Sequence, residues 1–130
     1  MANRPYLDPT PVITNGSMAG NLTSLVTILQ QKSMISYGLS WIGTSPVGTV
    51  SCQLSNDYSL YPNGTVNNAG TWSTMTLNYD NTSVTTIPVS GNTGNGMVDI
   101  DLTAAYAIRL IFTHTSGTGT LQVLANAKVS

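Results

Sequence analysis

The feature that most constrains this chain is a series of short apolar stretches in which every second side chain points to the same side. In the clearest of them, Ile35, Tyr37, Leu39 and Trp41 alternate with serine and glycine. A spacing of two places such side chains on one face of a β-strand, whereas a helix needs a spacing of three or four. The chain contains no stretch with helical spacing, so the sequence predicts an all-β protein.

The composition supports strands that are joined by turns. The 130 residues include 19 Thr, 14 Ser, 12 Asn and 12 Gly, and Glu is absent. Threonine fits the pleated surface of a sheet, while serine, asparagine and glycine are typical of turns. A chain of this length matches one domain with one core. We therefore expect a single antiparallel β-sandwich of jelly-roll type with about eight strands.

The alternation and the turn residues also predict where the strands lie. The predicted strands are 22–29, 34–42, 50–54, 72–77, 84–89, 97–102, 107–115 and 120–129. Pro88 cannot donate a hydrogen bond to a neighbouring strand, so we expect an edge or a bulge there. The turn-forming stretches 44–48 and 116–119 predict hairpins that join their flanking strands, and the stretch 57–70 is interpreted as a long loop.

The first 20 residues are interpreted as an extended N-terminal arm, and residues 21–130 as the sandwich domain. Pro5, Pro9 and Pro11 make a regular element unfavourable there, apart from a short extended piece at 12–14. The arm would lie on its own domain or on a neighbour, because its apolar side chains would otherwise stand in water.

Charge is scarce and excludes several classes of partner. Only 7% of the residues are charged and the net charge is −1, so we expect no binding to nucleic acid or to an anionic membrane surface. The sequence has neither a secretion signal nor an apolar run that would span a bilayer. Cys52 is the only cysteine, which excludes an internal disulfide and suggests a small buried side chain.

The inventory of reactive side chains predicts that the chain is not an enzyme and holds no cofactor or metal. It has one histidine, one cysteine and five aspartates, too few for a catalytic constellation. His114 is expected at the rim of the core. Asp99 and Asp101 would share one strand face and hold a cation only if Asp57, Asp80 or loop carbonyls joined them; a polar outer face is the other interpretation.

The candidate contact residues lie in three places, the arm, the long loop and one strand near the C-terminus. They are Tyr6, Leu7, Val12 and Ile13 in the arm, Tyr58, Leu60 and Tyr61 in the loop, and Arg109. Arg109 stands on the polar face of an apolar strand. Either a salt bridge to Asp99 or Asp101 or a contact with a partner subunit would account for it.

Three segments resemble small structural proteins of tailed bacteriophages: 48–57, 71–77, and 105–121 with the closing Ala127-Lys128. An Ile-Arg-Leu strand, a Thr-Ser-Gly-x-Gly-Thr-Leu turn and a final strand that ends near a lysine recur in that family. The family has no catalytic residues to carry over. The resemblance implies a jelly-roll protein of the virion, with capsid decoration or cement proteins as the leading case.

This resemblance implies the major capsid protein as partner, a homo-oligomer that is a trimer or a dimer, and a place on the capsid surface after assembly in the cytoplasm of the host bacterium. The alternative is a tail or fibre component with a sandwich that binds a host glycan. Tyr58, Tyr61 and the asparagine-rich loops motivate this alternative, because aromatic rings can serve as a platform for sugars.

Overall fold

The structure is a computed structural model that describes residues 6–29, 32–79, 81–100 and 105–128. Within these ranges the chain is all-β and antiparallel, which confirms the predicted fold class. The strands are β1 (Tyr6–Ser17), β2 (Leu22–Thr23), β3 (Thr27–Ile28), β4 (Met34–Ser55), β5 (Ser59–Leu60), β6 (Val66–Asn68), β7 (Ser73–Thr74), β8 (Leu77–Tyr79), β9 (Thr82–Val84), β10 (Ile87–Ser90), β11 (Thr93–Ile100) and β12 (Ala107–Lys128). The described residues contain no apolar helix of bilayer-spanning length.

Two very long strands form the centre of the fold. β4 and β12 have 22 residues each and pair with one another from Met34 opposite Lys128 to Ser55 opposite Ala107. The register shifts twice near the middle, between His114 and Thr118. Such shifts are β-bulges, which bend a strand pair sharply without ending it. We call this bend, at 43–48 and 114–119, the corner.

The corner divides the main sheet into two halves. Half A contains β1, residues 118–128 of β12, residues 34–44 of β4, and β11. Half B contains β2, β3, residues 107–116 of β12, residues 47–55 of β4, β7 and β10. Inward-facing residues of both halves belong to one buried cluster, so the halves pack face to face as a sandwich. Its jelly-roll connectivity remains a prediction.

The two predicted hairpins at 44–48 and 116–119 are wrong. Both stretches lie inside continuous strands, and each flanking strand pairs with the other long strand instead of with its sequence neighbour. The reason is that glycine, serine and proline serve a bulge as well as a turn. Ser45 and Gly117 adopt positive φ angles of 47° and 76°, and a Cβ at Gly117 would collide with the Ser45 carbonyl.

The main sheet contains eight strands, but several bounds differ from the prediction. The expected strand 22–29 is divided into β2 and β3, and 72–77 and 84–89 are likewise interrupted. The long loop 57–70 contains a small hairpin, β5–β6. Pro88 lies in β10, which ends the strand order of the sheet, so the predicted edge position is confirmed.

The N-terminal stretch is more regular than its prolines suggest. Residues 6–17 form β1, which pairs with β12 through three register shifts. Pro9 and Pro11 are exposed on this strand, where a missing N–H donor is tolerated because the strand is at an edge. The sequence left open whether the arm lies on its own domain or on a neighbour. Residues 6–17 lie on their own domain. A division of the chain at residue 20 remains a prediction.

The core includes two ionisable side chains that no water reaches. Cys52 is buried as expected, and burial raises the pKa of its thiol to about 12. Tyr37 is completely buried; burial above all, and then the nearby Cys52, raise the pKa of its phenol. The Tyr37 hydroxyl makes no hydrogen bond with any described residue. Both groups are therefore neutral in the folded protein.

Candidate interaction surface

The β5–β6 hairpin projects from half B and is stabilised by a well-bonded turn. The amide of Tyr61 donates to the carbonyl of Thr65 at 2.8 Å, and the amide of Gly64 donates to the carbonyl of Tyr61 at 2.9 Å. Gly64 has a φ of +91°, a conformation that glycine adopts without strain. The Asn63 carboxamide oxygen also accepts from the amide of Thr65. The turn therefore has a defined shape.

The base of the hairpin is fixed by a hydrogen-bond network around Asp57. Its carboxylate accepts from the amide of Thr71 at 2.7 Å and from the hydroxyl of Ser55 at 2.8 Å. These bonds, that of the Thr71 amide first, lower the pKa of Asp57 because they stabilise the charged form. The Ser55 hydroxyl in turn accepts from the amide of Tyr58 at 3.2 Å. Both ends of the 57–71 segment are thus tied to β4.

Contacts among Tyr58, Trp72 and Arg109 hold the same base against the outer face of half B. The Tyr58 and Trp72 rings lie 5.8 Å apart at 56°. The guanidinium carbon of Arg109 lies 4.2 Å from the centre of the Trp72 ring, in cation–π geometry, and its Nε donates to the Gln53 carboxamide at 2.8 Å. Arg109 and Gln53 are opposite each other on β12 and β4. These contacts therefore connect the hairpin to both long strands.

Beyond this base the hairpin presents apolar side chains to solvent. Leu60 and Val66 are exposed, and Tyr61 is 52% exposed. Every described residue from 61 to 69 is exposed. A well-bonded support that displays an exposed tyrosine suits a protein contact, because tyrosine is common among interface anchors and a preformed anchor loses little entropy on binding. We call Leu60, Tyr61 and Val66 the hairpin tip.

The contact between Trp72 and Arg109 gives a first quantitative prediction. In a double-mutant cycle of Trp72→Ala and Arg109→Ala, we expect a coupling of about 0.5–1 kcal/mol, the usual strength of an exposed cation–π pair. Urea unfolding of the wild type, both single variants and the double variant measures it. Arg109→Ala removes the hydrogen bond between Arg109 and Gln53 both with and without Trp72, so that bond cancels in the cycle. Strictly additive effects would contradict a direct Trp72–Arg109 interaction.

The candidate contact residues of the arm have different positions. Val12 and Ile13 are buried in the protein's own core, so in the folded chain they are occupied by internal packing. Tyr6 and Leu7 lie on β1 opposite Lys128 and Ala127. The structure describes their backbone pairing only.

The proposed salt bridge from Arg109 to Asp99 is wrong. Arg109 lies in half B beside Gln53, whereas Asp99 lies on β11 in half A and accepts a hydrogen bond of 2.6 Å from Ser36. Asp101 and Asp80 lie outside the described residues. Burial lowers the pKa of Arg109, but guanidinium remains protonated at neutral pH. The contacts of Arg109 that the structure describes are the Trp72 ring and the Gln53 carboxamide. A contact of Arg109 with a partner subunit stays a prediction.

The reactive side chains do not converge on one site within the described ranges. His114 lies at the corner, partly buried, with Nδ1 2.7 Å from the carbonyl oxygen of Met18 and its amide donating to Asn21. This contact assigns Nδ1 as the donor. The described residues contain no group of three or more histidine, cysteine or acidic side chains that could hold a metal. That the chain is not an enzyme stays a prediction.

Trp72, Gln53 and Asp57 belong to this surface but were not among the predicted contact residues. Trp72 was assigned to a predicted strand, and its contact with Arg109 joins residues far apart in the chain, for which the sequence has no local signal. The hairpin did have a signal: Pro62-Asn63-Gly64 between apolar residues is a turn sequence. Because β5 and β6 have only two and three residues, the whole segment was predicted to be a loop.

Comparison with known proteins identifies a related fold. No protein-family model matches the chain, and no curated protein does either. Among solved structures, the chain is similar to the SPBc2 prophage-derived protein YomS, with a TM-score of 0.53 and 10% sequence identity. The match covers 97% of this chain and 98% of that protein. At this identity the likeness concerns the fold alone.

Proposed function

We propose that this chain is a structural protein of a tailed-bacteriophage virion, specifically a capsid decoration or cement protein. It binds the major capsid protein at the outer surface of the shell and stabilises the shell through protein–protein contacts. The observation that carries this proposal is the hairpin tip, an apolar contact surface on a firmly held base, in a chain where only 7% of residues are charged.

The neutral surface suits a broad contact with another protein. Covering a charged side chain costs free energy unless the charge finds a partner, whereas hydroxyl and amide groups need only new hydrogen bonds. The outer surface of this sandwich is rich in threonine, serine and asparagine. Many copies on one particle bind multivalently, so a modest affinity for each copy is sufficient.

The similarity to the prophage-derived YomS supports a phage origin. That protein is described as derived from the SPBc2 prophage, and its fold matches this chain over nearly the whole length of both. Together with the resemblance of the 105–121 segment to structural proteins of tailed phages, this favours a virion component over other adhesive sandwiches.

One observation favours the alternative of a glycan-binding tail or fibre component. The Tyr61 ring is half exposed in an asparagine-rich turn, and exposed tyrosines can stack on sugars. The larger ring of Trp72, however, has Arg109 above one face and Tyr58 beside it. Because this ring is engaged, a single tyrosine would carry the binding, and we place the alternative second.

The proposal is tested by adding the purified chain to phage particles that were made without it. We expect saturable binding in many copies and a higher temperature of DNA release. Tyr61→Ala should weaken binding about tenfold or more, as truncation of an interface anchor does. Ile42→Ala, which shortens an exposed apolar residue in half A, is the matched control and should bind like the wild type.

Two results would count against a cement role. Particles that bind no chain, or bind it without any change in the temperature of DNA release, would exclude shell stabilisation. Glycan-array binding that is lost with Tyr61→Ala, combined with no binding to the shell, would establish the tail or fibre alternative instead.

A further inference from the structure

The free edges of the main sheet are not equally protected. An exposed strand edge offers unpaired backbone groups to other chains, and proteins usually block it with proline, bulges, lysine or a short strand. β1 carries Pro9, Pro11 and three register shifts. β10 has four residues including Pro88. β2, β3 and β7 have two residues each.

β11 has none of these protections. It is eight residues long, contains neither proline nor lysine, and pairs with β4 in an unbroken register. Its single charged residue, Asp99, is hydrogen-bonded to Ser36. Within the described ranges β11 pairs with β4 alone. Met97 on its outer face is 70% exposed, more than any other large apolar side chain described.

The space beside β11 is a cleft that β8 also lines, through Leu77, Asn78 and Tyr79. A cleft of about 290 Å³ runs along this strand, with Leu39 and Val98 of half A and Val50 and Val89 of half B among its lining residues. The inward side of Gly96 also faces open space, because no atom lies within 4 Å of where a Cβ would be. An inward-pointing side chain of an added strand would therefore find room beside Gly96.

We infer that β11 is a self-association edge, where a second copy of this chain adds its own β11 antiparallel across a two-fold axis and continues half A through both molecules. A second copy of the chain is the expected occupant because the sequence of β11 is complementary to itself in antiparallel pairing. With Met97 opposite Met97 of the second copy, directly opposed residues share a face. Asn95 then faces Asp99 of the second copy, and Gly96 faces its Val98, which fits the open space at Gly96.

This arrangement matches polar with polar and apolar with apolar groups. Each Asp99 faces a neutral amide, and the symmetry axis passes between two exposed methionines. A shift of the axis to Gly96 would place Met97 opposite Asn95 and lose both matches. In this register residues 94–100 of each copy pair, seven from each strand. Such pairing buries less than the roughly 1,200 Å² of a standard stable interface, so we expect a weak dimer. It would form whether or not the chain binds a capsid.

Sedimentation velocity from micromolar to millimolar concentration tests the dimer. Met97→Lys should weaken dimerisation about tenfold or more, since two like charges would meet at the axis. Leu124→Lys, on the outer face of half A but on an inner strand, is the matched control and should dimerise normally. A circular-dichroism melt of each variant checks that it folds.

A charge exchange tests the register. Asn95→Asp alone should weaken the dimer about tenfold at low salt, because two pairs of aspartates would face each other. Adding Asp99→Asn should restore wild-type association. A wild type that stays monomeric, forms trimers, or dimerises regardless of Met97→Lys overturns the inference. Failure of the second substitution to restore association overturns the register. Binding of a strand from another virion protein instead would leave the isolated chain monomeric.

Discussion

Replacing Gly43 with alanine is expected to lower the free energy of unfolding by about 3 kcal/mol, whereas Gly38→Ala in the same strand changes it by less than about 0.5 kcal/mol. A Cβ at Gly43 would run into the Thr118 carbonyl oxygen and the Gly119 Cα, whereas a Cβ at Gly38 meets no atom within 4 Å. The first contact is with backbone of the paired strand at the corner. It cannot be relieved by a side-chain rotation.

Urea unfolding of the two alanine variants beside the wild type measures this difference. Both substitutions remove the same backbone freedom of glycine from the unfolded chain, so the comparison isolates the collision at the corner. Equal stability of the two variants would mean that the long strands do not approach each other there as described. The bend that closes the sandwich would then have another cause.

The second large effect is a loss of stability at alkaline pH. In the unfolded chain the Cys52 thiol loses its proton near pH 9 and the Tyr37 phenol near pH 10. In the folded protein burial raises the pKa of both groups, so they stay protonated. Above these values the unfolded state binds fewer protons than the folded state, and stability falls as the pH rises.

The slope is at most about 1.4 kcal/mol per pH unit for each group, so we expect a total loss of about 4 kcal/mol between pH 9 and pH 11. Below about pH 8 this contribution is nearly constant, because both groups are then protonated in the folded and in the unfolded state. Denaturant unfolding at a series of pH values measures it, with Cys52→Ala and Tyr37→Phe as comparisons. Each variant should lose less stability over this interval than the wild type. Parallel curves for all three proteins would contradict the burial of both groups.

The inward-facing residues could be predicted well because alternation is a local property. Ile35, Tyr37 and Leu39 are buried as the period of two requires, and so are Leu110 and Phe112 on β12. The connections between strands were predicted less well. Ser116-Gly117-Thr118-Gly119 fits a hairpin turn and a bulge equally, and only pairing with β4 decides between them. That pairing is a long-range property.

The candidate surface illustrates the same limit. Tyr58, Leu60 and Tyr61 were identified because exposed aromatic and aliphatic residues in an asparagine-rich segment suggest a contact. Arg109 was identified because a charge on an apolar strand needs a partner, and an aspartate or a partner subunit was expected to supply it. A tryptophan and an amide fulfil that role. An arginine in a sequence suggests an acidic partner, whereas no sequence pattern marks a particular tryptophan as its cation–π partner.

The proposed function depends on binding of the hairpin tip to the capsid shell. Cryo-electron microscopy of virions from the phage that encodes this chain, at a resolution that shows side chains, tests it most directly. We expect many copies of the sandwich on the outer shell, each with Leu60, Tyr61 and Val66 against the major capsid protein. A sandwich found only at the tail, or bound to the shell with its β5–β6 hairpin pointing into solvent, would contradict it.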